Sequence, residues 1–252
     1  MDILNQLSYG LTHGEFSVVL QPKIDFNSTK IEGFEALARW QSHTLGNVSP
    51  AVFIPVAEQS GKIKDIDTIV IKSVLQFQQQ RLINKLKIVP IAVNISPDHF
   101  YHETFINDFL TLLDDYTVPA KYIKLEVTES IELVDFTRAK AILASLKSAG
   151  IDSSIDDFGV GFSSLSYLPQ LPFSEIKIDR SFISAMDDPG MQAVVRTIIQ
   201  LASNLNMRAV AEGIETLEQL KLLKAMGCHV GQGYYFYKPL SIDDTIILLD
   251  SF

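Results

Sequence analysis

Two adjacent carboxylates, Asp156 and Asp157, are the residues of this sequence best suited to chemistry. They follow a short apolar run that begins at Ile151, and the loop after them carries Gly159 and Gly161. Glycine permits positive φ angles and lets a ligand approach the backbone closely, and paired carboxylates suit a hard divalent cation. The stretch indicates a metal site at the end of a strand, although an Asp-Asp pair before glycine is also a common exit from a strand into a loop.

Similar polar side chains recur near the ends of other apolar runs. They are Glu35, Asn94, Glu126, Lys177, Glu212 and Gln232. Each of these alone has an ordinary structural explanation, such as a solvated strand end or, for Lys177, an ion pair with Asp156. Together with Asp156 and Asp157, these side chains would place five carboxylates close to one another. Burial of such a group is unfavourable because like charges repel. One or two divalent cations would resolve the conflict, and oxygen-only ligands favour Mg²⁺ or Mn²⁺ over Zn²⁺.

The hydrophobic pattern predicts eight strands, and from the third onward each strand is followed by a helix. The predicted strands cover residues 17–24, 31–40, 88–95, 122–127, 151–156, 175–178, 208–212 and 229–234. Strands that alternate with helices form parallel βαβ units. Eight of them in 252 residues indicate an α/β fold, a (β/α)₈ TIM-like barrel. An open doubly wound sheet is the alternative, but no Gly-x-Gly-x-x-Gly fingerprint follows the first strand.

The connections between the predicted strands add detail to this barrel. The short connection at Asn27 and Ser28 predicts that the first strand runs antiparallel to the second. A helix is predicted over about 102–115, and a short helix is predicted near 163–168. The C-terminal ends of barrel strands form the active face, so we expect the polar side chains named above to converge there.

Composition narrows the possible partners and location. The net charge of −9 argues against a nucleic-acid polymer, which needs a basic stripe on the protein. No apolar run reaches the length of a membrane span, and the N-terminus lacks the basic region of a signal peptide. These features predict a cytoplasmic location. Cys228 is the single cysteine, so it forms no internal disulfide, and we interpret it as a core residue.

A series of motifs in a fixed order resembles the EAL-domain cyclic-di-GMP phosphodiesterases. The resemblance extends from about Phe16 to Pro239 and includes Glu35-Ala36-Leu37, Val93-Asn94-Ile95-Ser96, Glu126-Val127-Thr128-Glu129, Asp156-Asp157-Phe158-Gly159, Lys177-Ile178-Asp179-Arg180 and Ala211-Glu212-Gly213. It implies that residues 1–252 are a single EAL-type phosphodiesterase domain, a barrel whose first strand is antiparallel. The implied activity is metal-dependent hydrolysis of cyclic-di-GMP to linear pGpG, which lowers this second messenger in bacterial signalling.

The resemblance also implies a role for each matching residue. The implied ligands of one Mg²⁺ or Mn²⁺ ion are Glu35, Asn94, Glu126 and Asp156, and those of a second are Asp156, Asp157 and Glu212. Lys177 would hold and help activate the attacking water, with Glu212 or Asp157 as the proton acceptor. The implied substrate contacts are Gln21, Leu37, Arg39, Gln232 and Pro239, and Glu129 would anchor the loop after Asp157. A homodimer is also implied.

The sequence departs from the family pattern only in the loop after Asp157, which reads Gly159-Val160-Gly161-Phe162 where Thr and Tyr are commoner. Two other functions stay open. One is a non-catalytic cyclic-di-GMP receptor, although such members usually lack metal ligands that are present here. The other, from the barrel and carboxylates alone, is enolase-like proton abstraction with Lys177 as the base. The sequence carries no sensor, receiver or GGDEF-like segment, so a fused or separate regulatory domain is also left open.

Overall fold

The computed structural model describes residues 3–129, 131, 135–161 and 166–251. Its strands are β1 (Phe16–Asp25), β2 (Ile31–Ser42), β3 (Gly46–Val48), β4 (Ile91–Asn94), β5 (Ile123–Thr128), β6 (Asp152–Phe158), β7 (Glu175–Ile178), β8 (Arg208–Ala211) and β9 (Val230–Gly231). All of them except β3 close into a barrel in the order β1-β2-β4-β5-β6-β7-β8-β9, with β9 paired back to β1. This confirms the predicted barrel and excludes the open sheet.

Helices surround this barrel. They are α1 (Ile3–Thr12), α2 (Pro50–Gln59), α3 (Ile63–Ile83), α4 (Pro97–Phe100), α5 (Phe105–Asp115), α6 (Phe136–Ser148), α7 (Arg180–Ser184), α8 (Pro189–Asn204), α9 (Leu217–Ala225) and α10 (Ile242–Asp250). Two short 3₁₀ helices cover Ala120–Tyr122 and Leu168–Gln170. Within the described part of the chain, every helix is too short or too polar to span a bilayer.

The first strand is antiparallel to both of its neighbours in the barrel, as the sequence predicts for the β1–β2 hairpin. The turn forms because Asp25 accepts hydrogen bonds from the backbone N–H groups of Asn27 and Ser28, a common role for aspartate in turns. Alternate residues of β1 face opposite sides of the sheet. Leu20 therefore packs in the outer core, whereas Gln21 and Lys23 lie inside the barrel.

Several predicted elements have different bounds in the structure. The helix predicted over about 102–115 is α5, which begins at Phe105. The sequence did not predict the short helix α4, which Ser96 caps by accepting the N–H of His99. The last predicted strand shortens to β9 because the chain turns at Gly233, whose carbonyl accepts from Phe236 and Tyr237. The sequence did not predict β3. Of the short helix predicted near 163–168, residues 163–165 lie outside the described residues, and a 3₁₀ helix begins at 168.

Gly33 lies where two segments of backbone meet at the edge between β2 and β4. A Cβ atom added there would come within 2.7 Å of the Pro90 carbonyl oxygen. That carbonyl also accepts the N–H of Phe34 at 3.0 Å, so it cannot move away freely. The site therefore requires glycine for reasons of space.

We predict that Gly33→Ala lowers the free energy of unfolding by about 1–3 kcal/mol, the usual effect of overpacking a tight site. Urea unfolding followed by circular dichroism measures this change. The matched control is Gly190→Ala in α8, where the added Cβ meets its nearest atom at 3.4 Å, an ordinary contact. Equal stability of the two variants would contradict the prediction.

Candidate active site

Lys177 lies in β7 at the centre of a group of carboxylates inside the barrel. Its side chain is fully buried, and its Nζ is 2.6 Å from Glu126 Oε2, 2.7 Å from Glu212 Oε1 and 2.9 Å from Asp156 Oδ1. Glu35 Oε2 is farther away, at 3.5 Å. We call Glu35, Glu126, Asp156, Asp157 and Glu212 the carboxylate cluster. Its members come from β2, β5, β6 and the end of β8, so the predicted convergence of polar strand ends is confirmed.

The register of the strands explains this convergence. Asn94 at the end of β4 pairs with Glu126 of β5 in the parallel ladder, and Glu35 pairs with the residue two before Asn94. Side chains two residues apart face the same side of a strand, so Glu35 and Asn94 both point into the barrel. Asn94 Nδ2 donates to Glu35 Oε1 at 2.9 Å. Gln232 Nε2 donates to Glu35 Oε2 and, at 3.5 Å, to Glu212 Oε1.

Asp157 reaches the cluster through an unusual backbone conformation. Its φ angle is +53°, in the left-handed region that non-glycine residues seldom adopt. Its N–H donates to Asp156 Oδ1 at 2.9 Å. Such strain persists only where the surrounding structure holds it, and it is frequent at functional sites. The strained turn is therefore what brings two consecutive acidic side chains to one place.

Glu129 contacts the loop that follows Asp157. Its Oε2 accepts the N–H of Gly159 at 3.3 Å. A Cβ atom on Gly161 would lie 2.1 Å from Glu129 Oε1, so a side chain at position 161 would displace the glutamate. This geometry agrees with the predicted anchoring role, which stays a prediction. Phe162, part of the departure from the family pattern, lies outside the described residues.

Burial and neighbouring charges shift the acid–base properties of the cluster. Burial raises the pKa of Asp156 to about 6 against the opposing effect of Lys177, and it raises the pKa of Glu212 well above its usual value. Burial acts the same way on Glu35, but Lys177, Lys23 and two amide donors outweigh it and lower that pKa to about 2. The surrounding carboxylates, despite burial, raise the pKa of Lys177 well above normal. Lys177 is therefore a fixed cation.

The cluster fits divalent cations in donor chemistry and spacing. Glu35, Glu126 and Asp156 each offer an oxygen within 4.8 Å of the others, and so do Asp156, Asp157 and Glu212. Asp156 belongs to both groups. All of these donors are oxygens, the ligands that Mg²⁺ and Mn²⁺ prefer.

The structure brings Gln21, Gln232, Leu37 and Arg39 near members of the cluster or Asn94, and it gives no contact between Pro239 and the cluster. Leu37 and Arg39 line a cavity of about 120 Å³ that Asn94 also lines. Gln21 is the antiparallel partner of Glu35 and donates to the Tyr237 carbonyl at 3.3 Å. Gln232 contacts two carboxylates directly, as described above. Pro239 is half-buried next to Leu240, which pairs with β1.

Sequence reasoning missed Lys23. This lysine of β1 is buried, and its Nζ lies 2.5 Å from Glu126 Oε1. Burial lowers the pKa of Lys23, but the Glu126 carboxylate outweighs that effect and the pKa is raised. The signal that could have found it is the spacing of Gln21 and Lys23, two polar residues on one face of a strand whose other face is apolar. Cys228, in contrast, is buried as predicted, and burial raises the pKa of its thiol to about 11.

Comparison with known proteins gives consistent matches. Residues 4–239 match the model of the EAL domain. Cyclic di-GMP phosphodiesterase PA2567 of Pseudomonas aeruginosa is 36% identical over 94% of this chain, and probable cyclic di-GMP phosphodiesterase PdeG of Escherichia coli is 36% identical over 96%. The chain spans only 41% of the length of PA2567 and 48% of PdeG.

A solved structure of the MucR phosphodiesterase of Pseudomonas aeruginosa, in complex with c-di-GMP, is also similar to this chain. The two superpose with a TM-score of 0.92 at 34% sequence identity, over 97% of this chain and 100% of that one. The fold of this chain is therefore shared with that solved structure.

We predict that Asp156→Asn stabilises the protein in EDTA at neutral pH. The pKa of Asp156 is about 6 in the folded state and about 3.9 in an unfolded chain. A carboxyl whose pKa is raised contributes its stability below about pH 4 and loses it as the pH rises through about 6. The free energy of unfolding of the variant should therefore rise relative to that of the wild type between pH 5 and 7, by up to roughly 3 kcal/mol at pH 7.

Urea unfolding at pH 5, 6 and 7 tests this pH dependence. Asp152→Asn is the matched control, because Asp152 lies on the same strand but pairs at the surface with Lys147. If Asp156→Asn is no more stable than the wild type at pH 7, then the ionised carboxylate of Asp156 does not destabilise the folded protein, and the prediction is wrong.

Proposed function

Because this chain belongs to the EAL domain family, we propose that it is a metal-dependent phosphodiesterase that hydrolyses one phosphodiester bond of cyclic-di-GMP to give linear pGpG. The observation that carries the proposal is the carboxylate cluster, with two oxygen-donor groups that share Asp156. Relatives named as cyclic di-GMP phosphodiesterases support the choice of substrate.

The proposed ligands of one ion are Glu35, Asn94, Glu126 and Asp156, and those of a second ion are Asp156, Asp157 and Glu212. We propose Mg²⁺ or Mn²⁺ for both. Bound there, divalent ions would polarise the scissile phosphate, lower the pKa of the attacking water and neutralise the charge that develops on phosphorus. The five carboxylates would then be balanced by the ions as well as by lysine.

The protonation states of the chain's own groups suggest their roles. Lys177 keeps its proton because its pKa is raised well above normal, so it can orient a water molecule by donation but is a poor base. This disfavours the enolase-like alternative, which needs Lys177 to abstract a proton. Burial raises the pKa of Glu212 well above its usual value, and partial burial together with neighbouring carboxylates raises the pKa of Asp157. A raised pKa makes a carboxylate a better proton acceptor. Either carboxylate can take the proton from water.

The substrate side of the proposal uses the polar groups around the cluster. Arg39 carries a guanidinium that can bind a phosphate through two parallel hydrogen bonds. Gln232 Oε1 is buried and has no hydrogen-bond partner among the described residues, so it is available to accept an N–H from a guanine base. Gln21, Leu37 and Pro239 complete the proposed contacts. The MucR structure holds c-di-GMP in the corresponding fold.

The remaining parts of the proposal concern the domain as a whole and its control. We propose one EAL-type domain over residues 1–252, a cytoplasmic location, and control by a fused or separate regulatory domain. Glu129 is proposed to anchor the loop after Asp157, and this loop is proposed to link the metal site to dimerisation.

The test is incubation of the protein with cyclic-di-GMP and Mg²⁺ or Mn²⁺, beside a sample in EDTA, with the nucleotides separated by ion exchange. We expect pGpG to appear only with the metal. Binding of cyclic-di-GMP without turnover in either metal would replace the proposal by the receptor function. If the protein neither binds nor hydrolyses cyclic-di-GMP, then cyclic-di-GMP is not its ligand.

We predict that Asp156→Asn lowers the rate of pGpG formation by about a hundredfold or more, because it removes the carboxylate common to both ligand groups. The rate is measured under the same conditions beside the surface control Asp152→Asn, which should keep the wild-type rate. A near-normal rate for Asp156→Asn would refute the assignment of the site.

We also predict a homodimer. Size-exclusion chromatography with light scattering at micromolar protein should give twice the 28.1 kDa mass of the chain. A single peak at the monomer mass would contradict this prediction while leaving the proposed chemistry untouched.

A further inference from the structure

The barrel interior holds a second buried lysine beside the carboxylate cluster. Lys23 pairs in the β-ladder with Gly33 of β2, two residues before Glu35. Its side chain is 7% exposed, and its Nζ lies 2.5 Å from Glu126 Oε1. The ammonium of Lys23 therefore contacts a proposed metal ligand, Glu126, directly.

Glu126 is held between two ammonium groups. Its Oε1 pairs with Lys23 and its Oε2 with Lys177, and its side chain is 0% exposed. A carboxylate held at both oxygens cannot rotate about its last bond without losing an ion pair in a buried place, which is strongly unfavourable. Lys23 thus fixes Oε2 as the oxygen of Glu126 that faces Lys177. Lys177 is also the lysine that contacts Asp156 and Glu35.

Other cations satisfy the remaining buried acid nearby. Glu175 Oε1 is 2.6 Å from Lys124 Nζ and also pairs with Arg208, which in turn contacts Glu32. Glu175 therefore does not depend on Lys23 for a direct partner. This leaves Glu126 as the direct ion-pair partner of Lys23 among the described residues.

The space beside Lys23 is small. Lys23, Gly33 and Ala92 line a cavity of only about 10 Å³, which is room for one water molecule at most. The cavity therefore offers the Lys23 side chain little free space.

We propose that Lys23 is a positioning residue for metal binding, because its ammonium holds Glu126 so that the opposite carboxylate oxygen faces Lys177, which also contacts Glu35 and Asp156. This inference rests on the proposed metal site and deepens it. A carboxylate that binds metal is itself oriented by hydrogen bonds, and loss of such a partner typically weakens metal affinity by about 10–100-fold. Lys23 would have this effect without touching the ion or the substrate.

The experiment measures Mn²⁺ binding directly, by the electron paramagnetic resonance signal of free Mn²⁺ at pH 7.5, with no nucleotide present. We expect Lys23→Met to raise the Kd for Mn²⁺ by about tenfold or more. The matched control is Lys124→Met, which removes a different buried ion pair from the same barrel interior. It should lower the unfolding temperature and leave the Kd within about twofold of the wild type.

A second pair of variants tests whether Lys23 acts through Glu126. In the Glu126→Gln background the neutral amide no longer needs a cation, so the added Lys23→Met change should leave the remaining Mn²⁺ affinity unchanged or tighter. This double variant has no unpaired charge at the Lys23–Glu126 pair, and it supplies the answer even if Lys23→Met alone fails to fold. Further weakening in the double variant would overturn the inference.

The remaining outcomes separate this inference from the proposed function. If Lys23→Met and Lys124→Met both lose thermal stability and keep the wild-type Kd, Lys23 is only a structural residue. If the wild type binds Mn²⁺ but does not hydrolyse cyclic-di-GMP, the proposed function fails and the Kd comparison still decides the role of Lys23. Absence of Mn²⁺ binding by the wild type would overturn both.

Discussion

The contact on which this structure depends is the buried ammonium of Lys177 among carboxylates from several strands. Ions taken out of water lose their hydration, and only close partners of opposite charge compensate for that loss. A barrel interior offers such partners because strands that are far apart in sequence end side by side. The lysine can be buried only if the barrel closes, and the carboxylates can approach one another only if the lysine is there. Fold and site therefore require each other.

The carboxylates of the cluster differ in how far nearby cations and hydrogen-bond donors offset their negative charge. Glu35 receives hydrogen bonds from Asn94 and Gln232 as well as its lysine contact, and its pKa falls to about 2. Asp156 and Glu212 have raised pKa values, because burial and the other carboxylates outweigh Lys177. An excess of negative charge thus remains on one side of the cluster. Excess charge of this kind attracts cations and makes the folded protein less stable, as is common at functional sites.

Much of this arrangement was predictable from the sequence, because it follows from periodicity. Alternation within strands and the strand–helix order gave the barrel, and polar residues at strand ends gave the members of the cluster. The family motifs, not the physical pattern, supplied the roles of single residues. Local pattern could not give the left-handed backbone of Asp157, since that conformation depends on what surrounds the turn.

Lys23 was missed for a different reason. A lysine in a strand is ordinarily at the surface, so its place beside Gln21 on the polar face of β1 did not by itself indicate burial, whereas the structure has it buried opposite Glu126. The extra strand β3 and the short helix α4 were missed because both depend on short turns that alter the chain direction within a few residues. Boundaries of this kind are set by capping and turn chemistry more than by hydrophobic period.

The antiparallel first strand has a consequence for the order in which the chain folds. β1 pairs with β2 along nearly its whole length, but it meets β9 through only two residue pairs, Ile24 with Gly231 and Asp25 with Val230. The first contact is local in sequence and the second joins residues far apart in the chain, and contacts of the second kind form slowly because loop closure must come first. On the ribosome the hairpin is complete long before its other neighbour emerges. We therefore expect the β1–β9 seam to be the last part of the barrel to close and the first to open, with Gln21 and Gln232 beside it.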